Sequence, residues 1–313
     1  MQRTTTVTTM VERSVEQPAG GSVEQPVQIS VDALLARCTF APTRTSLTCA
    51  VSGGADSLAL LVLACSAGHD VTAVHVDHQL RSGSALEAAV VRAAADRFGA
   101  AFRSERVDAG GPGPNVEARA RAARYDVLPP DVLTGHTADD QAETVLINLL
   151  RGSGLDGLSG MRPERRPLLA LRRAETKALC AFFGLQPVHD PSNDDDSLRR
   201  NRIRHELLPL LDAIAERDVA ALISRQSDTL RDERDLLDEL AGRLDPTDAV
   251  ALAAAPVALA RRALRTWLTD EAGYPPDAAA VERVLDVARG RVIACELSGG
   301  RRISRHRQRL RSS

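Results

Sequence analysis

Leu47-Thr-Cys-Ala-Val51 runs straight into Ser52-Gly-Gly-Ala-Asp-Ser57, and an apolar run from Leu58 to Ala67 follows. Small and β-prone residues come first, then two glycines flanked by hydroxyls and an acid, then a helical stretch. The order reads as strand, tight loop and helix N-terminus. Gly53 and Gly54 let the backbone take conformations closed to other residues and approach a ligand closely. The first amides of a helix lack intrahelical acceptors, so such a loop attracts anions. Ser52 and Ser57 can donate to phosphate oxygens, and the Ala55 amide sits between them. Asp56 can cap the helix or hold a metal bound to phosphate. A Gly-Gly turn capped by Asp56 is the plain alternative. The Gly-Lys-Ser/Thr ending of a Walker loop is absent.

Outward from this stretch, strands and helices alternate. Val71–Val76 and Phe102–Val107 read as further strands, and Val132–Thr134 as a short one. Helices are expected at Ala85–Phe98, Val116–Leu128 and Ala138–Leu150. That alternation predicts an α/β domain, a doubly wound, mainly parallel sheet covered on both faces. Ligands of such sheets sit beyond the carboxyl ends of the strands, where Ser52, Asp77, the Pro112–Asn115 loop and His136 all fall. The glycine-rich Arg151–Gly160 segment is expected to be a mobile loop. Arg162, Arg165, Arg166, Arg172 and Arg173 make a basic stretch before a helix from Ala174. Helix Asn201–Leu211 closes a catalytic domain spanning 31–211. Residues 212–313 read as a smaller, mainly helical domain with a basic tail, and a hairpin can turn at Ser298-Gly-Gly300. Residues 1–30, with VEQP twice, read as a disordered tail.

Bulk properties narrow the class. The 313 residues are 43% hydrophobic but only 3% aromatic, so the core is mainly Leu, Val and Ala. The formal charge of −2 does not advertise a polyanion partner. Only one of the 40 basic residues is lysine, Lys177, which leaves 39 arginines, a side chain suited to phosphate. Five cysteines without CxxC spacing read as reduced thiols of a cytoplasmic protein. No stretch has membrane-spanning length, and the N-terminus lacks the apolar core of a signal peptide.

Three further constellations carry chemistry. His75-Val-Asp77-His78 ends the second strand with Arg81 after it, and alternation puts His75 and Asp77 on one face. Beside the loop they suit nucleotide contact, with Asp77 near ribose or Mg²⁺; solvated strand-end polar groups are the alternative. Asn115–Tyr125 carries Glu117, Arg119, Arg121 and Arg124, of which one i, i+4 ion pair explains only part. In Gly135-His136-Thr-Ala-Asp139-Asp140-Gln-Ala-Glu143-Thr144, helical spacing puts His136, Asp140 and Glu143 on one face with Asp139 beside it. Ala142, Val145, Leu146 and Leu149 then face the sheet. Acids in a first turn are favoured by the helix dipole, so capping is one reading. Three clustered acids exceed what a cap needs and suit Mg²⁺ or a cationic amine. Arg199–His205 after Asp190-Pro-Ser-Asn193, and the six arginines of Arg301–Arg311, are solvated faces or grips on nucleic-acid backbone.

SGGADS, HVDHQLR, NVEARARAARY, GHTADDQAET and DPSN with RNRIRHELLP together resemble the tRNA(Ile)-lysidine synthetase family of N-type ATP pyrophosphatases. The resemblance is close from Val31 to Leu211 and loose beyond. It implies that ATP adenylates C2–O of the wobble cytidine in a CAU-anticodon isoleucine tRNA, and that the ε-amine of free lysine then displaces AMP. It assigns Ser52, Gly53, Gly54, Ala55, Asp56, Ser57, His75 and Asp77 to ATP, with Asp56 and Asp77 on Mg²⁺. His136, Asp139, Asp140 and Glu143 join Asp56 as catalytic residues. Arg119, Arg121, Arg124, Arg200 and Arg204 go to tRNA or phosphate. The chain is shorter than family members with an extra C-terminal domain, and the sequence leaves the oligomeric state open. A cytidine thiolase, an amide-forming synthetase such as NAD synthetase, or a non-catalytic RNA- or nucleotide-binding module are the competing readings. The first would need CxxC cysteines, the second has no use for an arginine-rich C-terminal half, and the third would not need the acids.

Overall fold

The computed structural model describes residues 29–77, 84–107, 127–188, 199–271 and 273–313. Four parallel strands form the first sheet: β1 (Ser46–Ala50), β2 (Asp70–Asp77), β3 (Ala101–Arg106) and β4 (Leu133–Thr134), in the order β3-β2-β1-β4. The doubly wound parallel sheet expected from the alternation is therefore present. The order reverses beside β1, so its C-terminal end and that of β4 are neighbours at a topological switch point, where such sheets bind ligands. Cys49 pairs with Leu133 and Ala50 with Thr134, which brings SGGADS next to GHTADD.

Helix α1 (Val31–Leu35) precedes β1, α2 (Ala55–Ser66) follows the loop, and α3 (Ser84–Phe98) connects β2 to β3. Ser57 through Ala64 of α2 are all buried. A helix apolar all round must be enclosed, and α2 is packed by the sheet, α1, α3 and α6 (Arg173–Phe182). Leu58, Leu60, Leu61 and Leu63 are fully buried with Leu168, Leu171 and Leu179. Each such side chain contributes about 1.5–3 kcal/mol relative to exposure, so the loop sits on a rigid base.

Helix α4 (Ala138–Leu150) does not pack only on the sheet. Ala142 and Leu146 form a second cluster with Ile203, Leu208 and Ala220. Leu149, expected on the packed face, is more than half exposed. The segment expected to be a mobile loop contains a short helix, α5 (Leu155–Leu158). Gln141 holds its far end, donating from Nε2 to the Met161 carbonyl at 3.2 Å and accepting the Met161 amide at 2.7 Å. Asn148 donates to the Gly157 carbonyl.

Helix α7 (Arg199–Arg202) continues through a π-helical turn, Ile203–Leu207, into α8 (Leu208–Ala215). Pro209 stands at the start of α8 and has no amide to bond the preceding turn, while Leu208 donates back to Ile203, the i→i+5 pattern.

Helix α9 (Val219–Gly242) spans about 36 Å and packs on both α4 and α11 (Val257–Leu268). The buried Arg231 donates to the Ser159 and Met161 carbonyls, and Arg162 pairs with Asp235. A separate core joins Leu252 of α10 (Ala249–Ala254), Leu264, and Val284 and Leu285 of α12 (Ala278–Ala288) to Ile303 and Leu310. The last two lie in an antiparallel sheet, β5 (Ala294–Glu296), β6 (Arg302–His306) and β7 (Arg309–Ser312). The arginine run expected as a basic tail is thus two paired strands. Alternation turns Ile303 and Leu310 inward, while Arg302, Arg309 and Arg311 face out. The hairpin at Ser298–Gly300 is present, with β7 as an additional strand.

Candidate active site

The loop is built mainly from backbone. Gly53 has φ +92°, where a side chain would be strained. Its carbonyl accepts the Val188 amide at 2.9 Å. Ser57 Oγ donates to the Gly54 carbonyl at 2.8 Å, accepts the Ser52 amide at 3.1 Å, and lies 3.2 Å from Ser52 Oγ. Gly54, the residue before α2, supplies no capping side chain. The first-turn amides, Ala55 to Ser57, therefore keep their donor capacity toward the loop. Gly135 presses on this turn. A Cβ there would stand 2.5 Å from the Asp56 carbonyl oxygen, so only glycine lets the β4 loop reach α2.

His75, expected beside the nucleotide, is 1% exposed, with Nδ1 3.0 Å from the Val51 carbonyl oxygen. A carbonyl only accepts, so Nδ1 carries the proton; Nε2 is buried without a partner. Asp77 ends β2 in register with Arg106, half-buried. His78 and Arg81, and Arg119, Arg121 and Arg124 with the rest of Asn115–Tyr125, lie outside the described residues.

The acids converge as the helical spacing predicted, but they are not open. Thr137 precedes α4, and Asp140 Oδ2 accepts its amide at 2.9 Å and its hydroxyl at 3.0 Å. The capping alternative therefore holds through one oxygen of Asp140. The other accepts Arg173 at 2.9 Å and Arg200 at 3.3 Å. Glu143 is fully buried and receives three guanidinium groups: Arg173 at 3.1 Å, Arg200 at 2.6 Å, and Arg204 at 2.7 and 3.2 Å. Asp139 takes a two-point contact from Arg172, 3.0 Å at each oxygen, and the Arg173 amide at 2.7 Å. Asp56 accepts from the Thr176 hydroxyl, and its Oδ2 has a 3.4 Å contact with Arg173. His136 Nδ1 lies 2.8 Å from Thr134 Oγ1.

Arg200 and Arg204, read from sequence as nucleic-acid contacts, thus hold Glu143. A buried carboxylate demands cations before any partner molecule can claim them. Arg172, Arg173, Thr176 and Gly135 complete the site and were not singled out from the sequence. Arg172 and Arg173 were visible there only as part of a basic stretch, although four clustered acids require counter-charges from somewhere.

The balance is close, with Asp56, Asp139, Asp140 and Glu143 facing Arg172, Arg173, Arg200 and Arg204. Burial works against the Asp140 charge, but Arg173, His136 and Arg200 outweigh it and hold the carboxyl below its ordinary range. Burial likewise opposes Asp139, and Arg172 with the Arg173 amide overcomes it. Asp56 goes the other way. Burial raises its pKa, with Asp140 adding to the rise, and Thr176 and Arg173 do not cancel it. Asp56 is the least neutralised acid of the four. Among the described residues no group of three or more His, Cys, Asp or Glu converges as a protein-only metal site.

Comparison with known proteins decides the family. The PP-loop domain model matches residues 23–211, and the TilS substrate binding domain model matches 248–311. Over 244 residues the chain is 44% identical to the tRNA(Ile)-lysidine synthase of Nocardia farcinica, covering 72% of this chain and 76% of that one. Identity to the Rhodococcus erythropolis tRNA(Ile)-lysidine synthase is 42% over 248 residues, 73% and 75% of the two chains. The chain belongs to the tRNA(Ile)-lysidine synthase family. The family match makes it a PP-loop, ATP-dependent ligase, and the PP-loop model covers the SGGADS turn. Among solved structures, the U34-tRNA thiolase NcsA from Methanococcus maripaludis with its [4Fe-4S] cluster superposes with a TM-score of 0.53. It is 15% identical and covers 64% of this chain and 78% of that one, a likeness of fold. In this lysidine synthase family member the arginine clamp on the acids is therefore built onto a shared PP-loop scaffold.

Proposed function

We propose that the chain ligates lysine to C2 of the wobble cytidine in a CAU-anticodon isoleucine tRNA at the expense of ATP. The observation that carries this reading is the meeting of the SGGADS loop with the Asp139–Glu143 acids at the β1/β4 switch point, in a chain 44% identical to a tRNA(Ile)-lysidine synthase. The C2 oxygen attacks the α-phosphorus and pyrophosphate leaves. The amine then attacks C2, and the former C2 oxygen departs with AMP. A urea-like C2–O bond leaves poorly until adenylated, which is why ATP is needed. The Ala55–Ser57 amides and the Ser52 and Ser57 hydroxyls bind the departing pyrophosphate. His136 faces the phosphate or the charge forming at the reacting carbonyl.

Mg²⁺ fits this chemistry. Asp56 stands in the first turn of α2 with Oδ2 only weakly engaged at 3.4 Å, and Asp77 ends the adjacent strand. One or two carboxylates plus phosphates are the usual protein share of an Mg²⁺ site. Bound there, the ion would screen the charge of the leaving pyrophosphate. Asp139, Asp140 and Glu143 receive the lysine amine and help position it for deprotonation. Since Asp140 and Glu143 are saturated by arginines, the ammonium shares oxygens with guanidinium groups. Arg119, Arg121 and Arg124 are assigned to tRNA or phosphate. Arg200, whose side chain is 36% exposed, is the one of the clamp arginines best placed to touch phosphate as well. Residues 31–211 take the ATP and amine chemistry, and 212–313 contact tRNA. A tRNA substrate and five free cysteines favour the cytoplasm. Among the described residues no helix is long and apolar enough to cross a membrane.

A thiolase reading gains nothing from the cysteines. Burial pushes Cys38, Cys49 and Cys180 up to about 12, so their reactive thiolates are suppressed. The test is incubation with CAU-anticodon tRNA, ATP, Mg²⁺ and radiolabelled lysine. Label entering that tRNA, and not one with a GAU anticodon, is the expected result. ATP–pyrophosphate exchange without label in tRNA would make the protein a different adenylating enzyme.

A further inference from the structure

One side chain touches every part of the acidic cluster. Arg173 opens α6, and its backbone amide donates to Asp139. Its guanidinium then turns between α2 and α4. Nη2 reaches Asp140 at 2.9 Å, Nη1 reaches Glu143 at 3.1 Å, and Nε faces Asp56 at 3.4 Å. Three nitrogens of one planar group serve three carboxylates on two elements. Arg172 stays on Asp139 and Asp218, while Arg200 and Arg204 stay on Asp140 and Glu143. Among the described residues, Arg173 is therefore the side chain that spans from the loop helix to the acids of α4.

We propose that Arg173 is a positioning residue whose guanidinium fork sets the α4 carboxylates at a fixed offset from the phosphate loop, and so places the amine nucleophile against the activated base. The inference rests on the ligase reading above. Its physical basis is the shape of the group. A guanidinium presents donors in a rigid plane, whereas an ammonium is a point charge on a flexible stem that cannot bridge three carboxylates in fixed directions. A displacement of about 1 Å in such a pair of sites costs on the order of a hundredfold in rate. Apart from the long 3.4 Å contact with Asp56, Arg173 touches no part of the phosphate loop, whose shape is held by Gly53, Gly54, Ser52 and Ser57, so most of the ATP contacts have separate support.

The test begins with the wild-type protein and labelled lysine. Failure of that arm removes the ligase reading, independently of Arg173. Given incorporation, Arg173→Lys is compared for apparent KM values and for lysine against its one-methylene-shorter analogue ornithine. The expected result is a KM for lysine raised about tenfold or more, a KM for ATP within about threefold, and a reduced preference for lysine over ornithine. An unchanged lysine KM, or ATP and lysine KM values rising together, overturns the proposal. So does equal loss of both amines with the preference intact, because a strut that merely holds the fold has no reason to tell one methylene from another. If Arg173→Lys lacks a cooperative melt, Arg173→Gln is measured in its place. Loss of the fold in both also overturns the proposal.

Discussion

The phosphate loop and the carboxylate cluster lie side by side and are made in opposite ways. The loop is local: one glycine at φ +92°, one serine hydroxyl bonded to backbone and to a second serine within six residues, and the first turn of a buried helix. The cluster is assembled across the chain. Glu143 is held by Arg173, Arg200 and Arg204, which lie 30, 57 and 61 residues away in sequence. A backbone site keeps its donors directed at a ligand because the helix fixes them. A side-chain site in a dry environment must first neutralise itself. The difference teaches that the loop is poised for a ligand, whereas the acids are poised by one another's partners.

Glu143→Gln breaks the cluster where it is tightest. It removes a fully buried charge facing three guanidinium groups and is expected to cost about 3–5 kcal/mol, read from denaturant midpoints. A cost below about 1 kcal/mol would mean the arginines relax into solvent and the cluster is not a unit. Gly135→Ala strikes the seam between the two regions. Its Cβ would meet the Asp56 carbonyl oxygen at 2.5 Å, a backbone atom that cannot swing away. The expected cost is about 1–3 kcal/mol, accompanied by loss of ATP–pyrophosphate exchange, since the first turn of α2 must shift. Normal exchange in that variant would separate the GHTADD loop from the phosphate site.

The loop and the parallel sheet were legible because their signals are local. Gly-Gly after a β-prone run and alternating strands and helices need no distant partner to be read. The convergence of Asp139, Asp140 and Glu143 followed from helical spacing alone. What spacing does not encode is occupancy by distant groups. Arg200 and Arg204 read as exposed phosphate grips because Glu143 could not be placed beside them in sequence. The burial of His75 was not legible either, because alternation tells the face of a strand and not how deeply that face is covered. The arginines of β6 and β7 read as a tail because Ile303 and Leu310, two apolar residues in a charged run, form a core only with the distant helices α10, α11 and α12. The strand that carries them is stabilised by packing rather than by propensity.

Asp56 belongs to both regions and gives the smallest stability effect with the largest effect on activity. Its folded pKa is raised, so its ionised form carries a penalty that is complete above the folded value and vanishes as pH falls below the unfolded value. Asp139 and Asp140 have the opposite sign. Their lowered values contribute stability above the unfolded pKa, and it is lost as pH falls through the folded values. Asp56→Asn should therefore leave the protein slightly more stable at neutral pH, with the gain shrinking in acid. The decisive measurement is that variant's pyrophosphate release and lysine incorporation, followed in one reaction with CAU-anticodon tRNA. Both should vanish while the melting temperature holds or rises, as expected if Asp56 serves the ATP step. Lysine incorporation at the wild-type rate would contradict the account and leave the SGGADS turn as a helix start with no part in the chemistry.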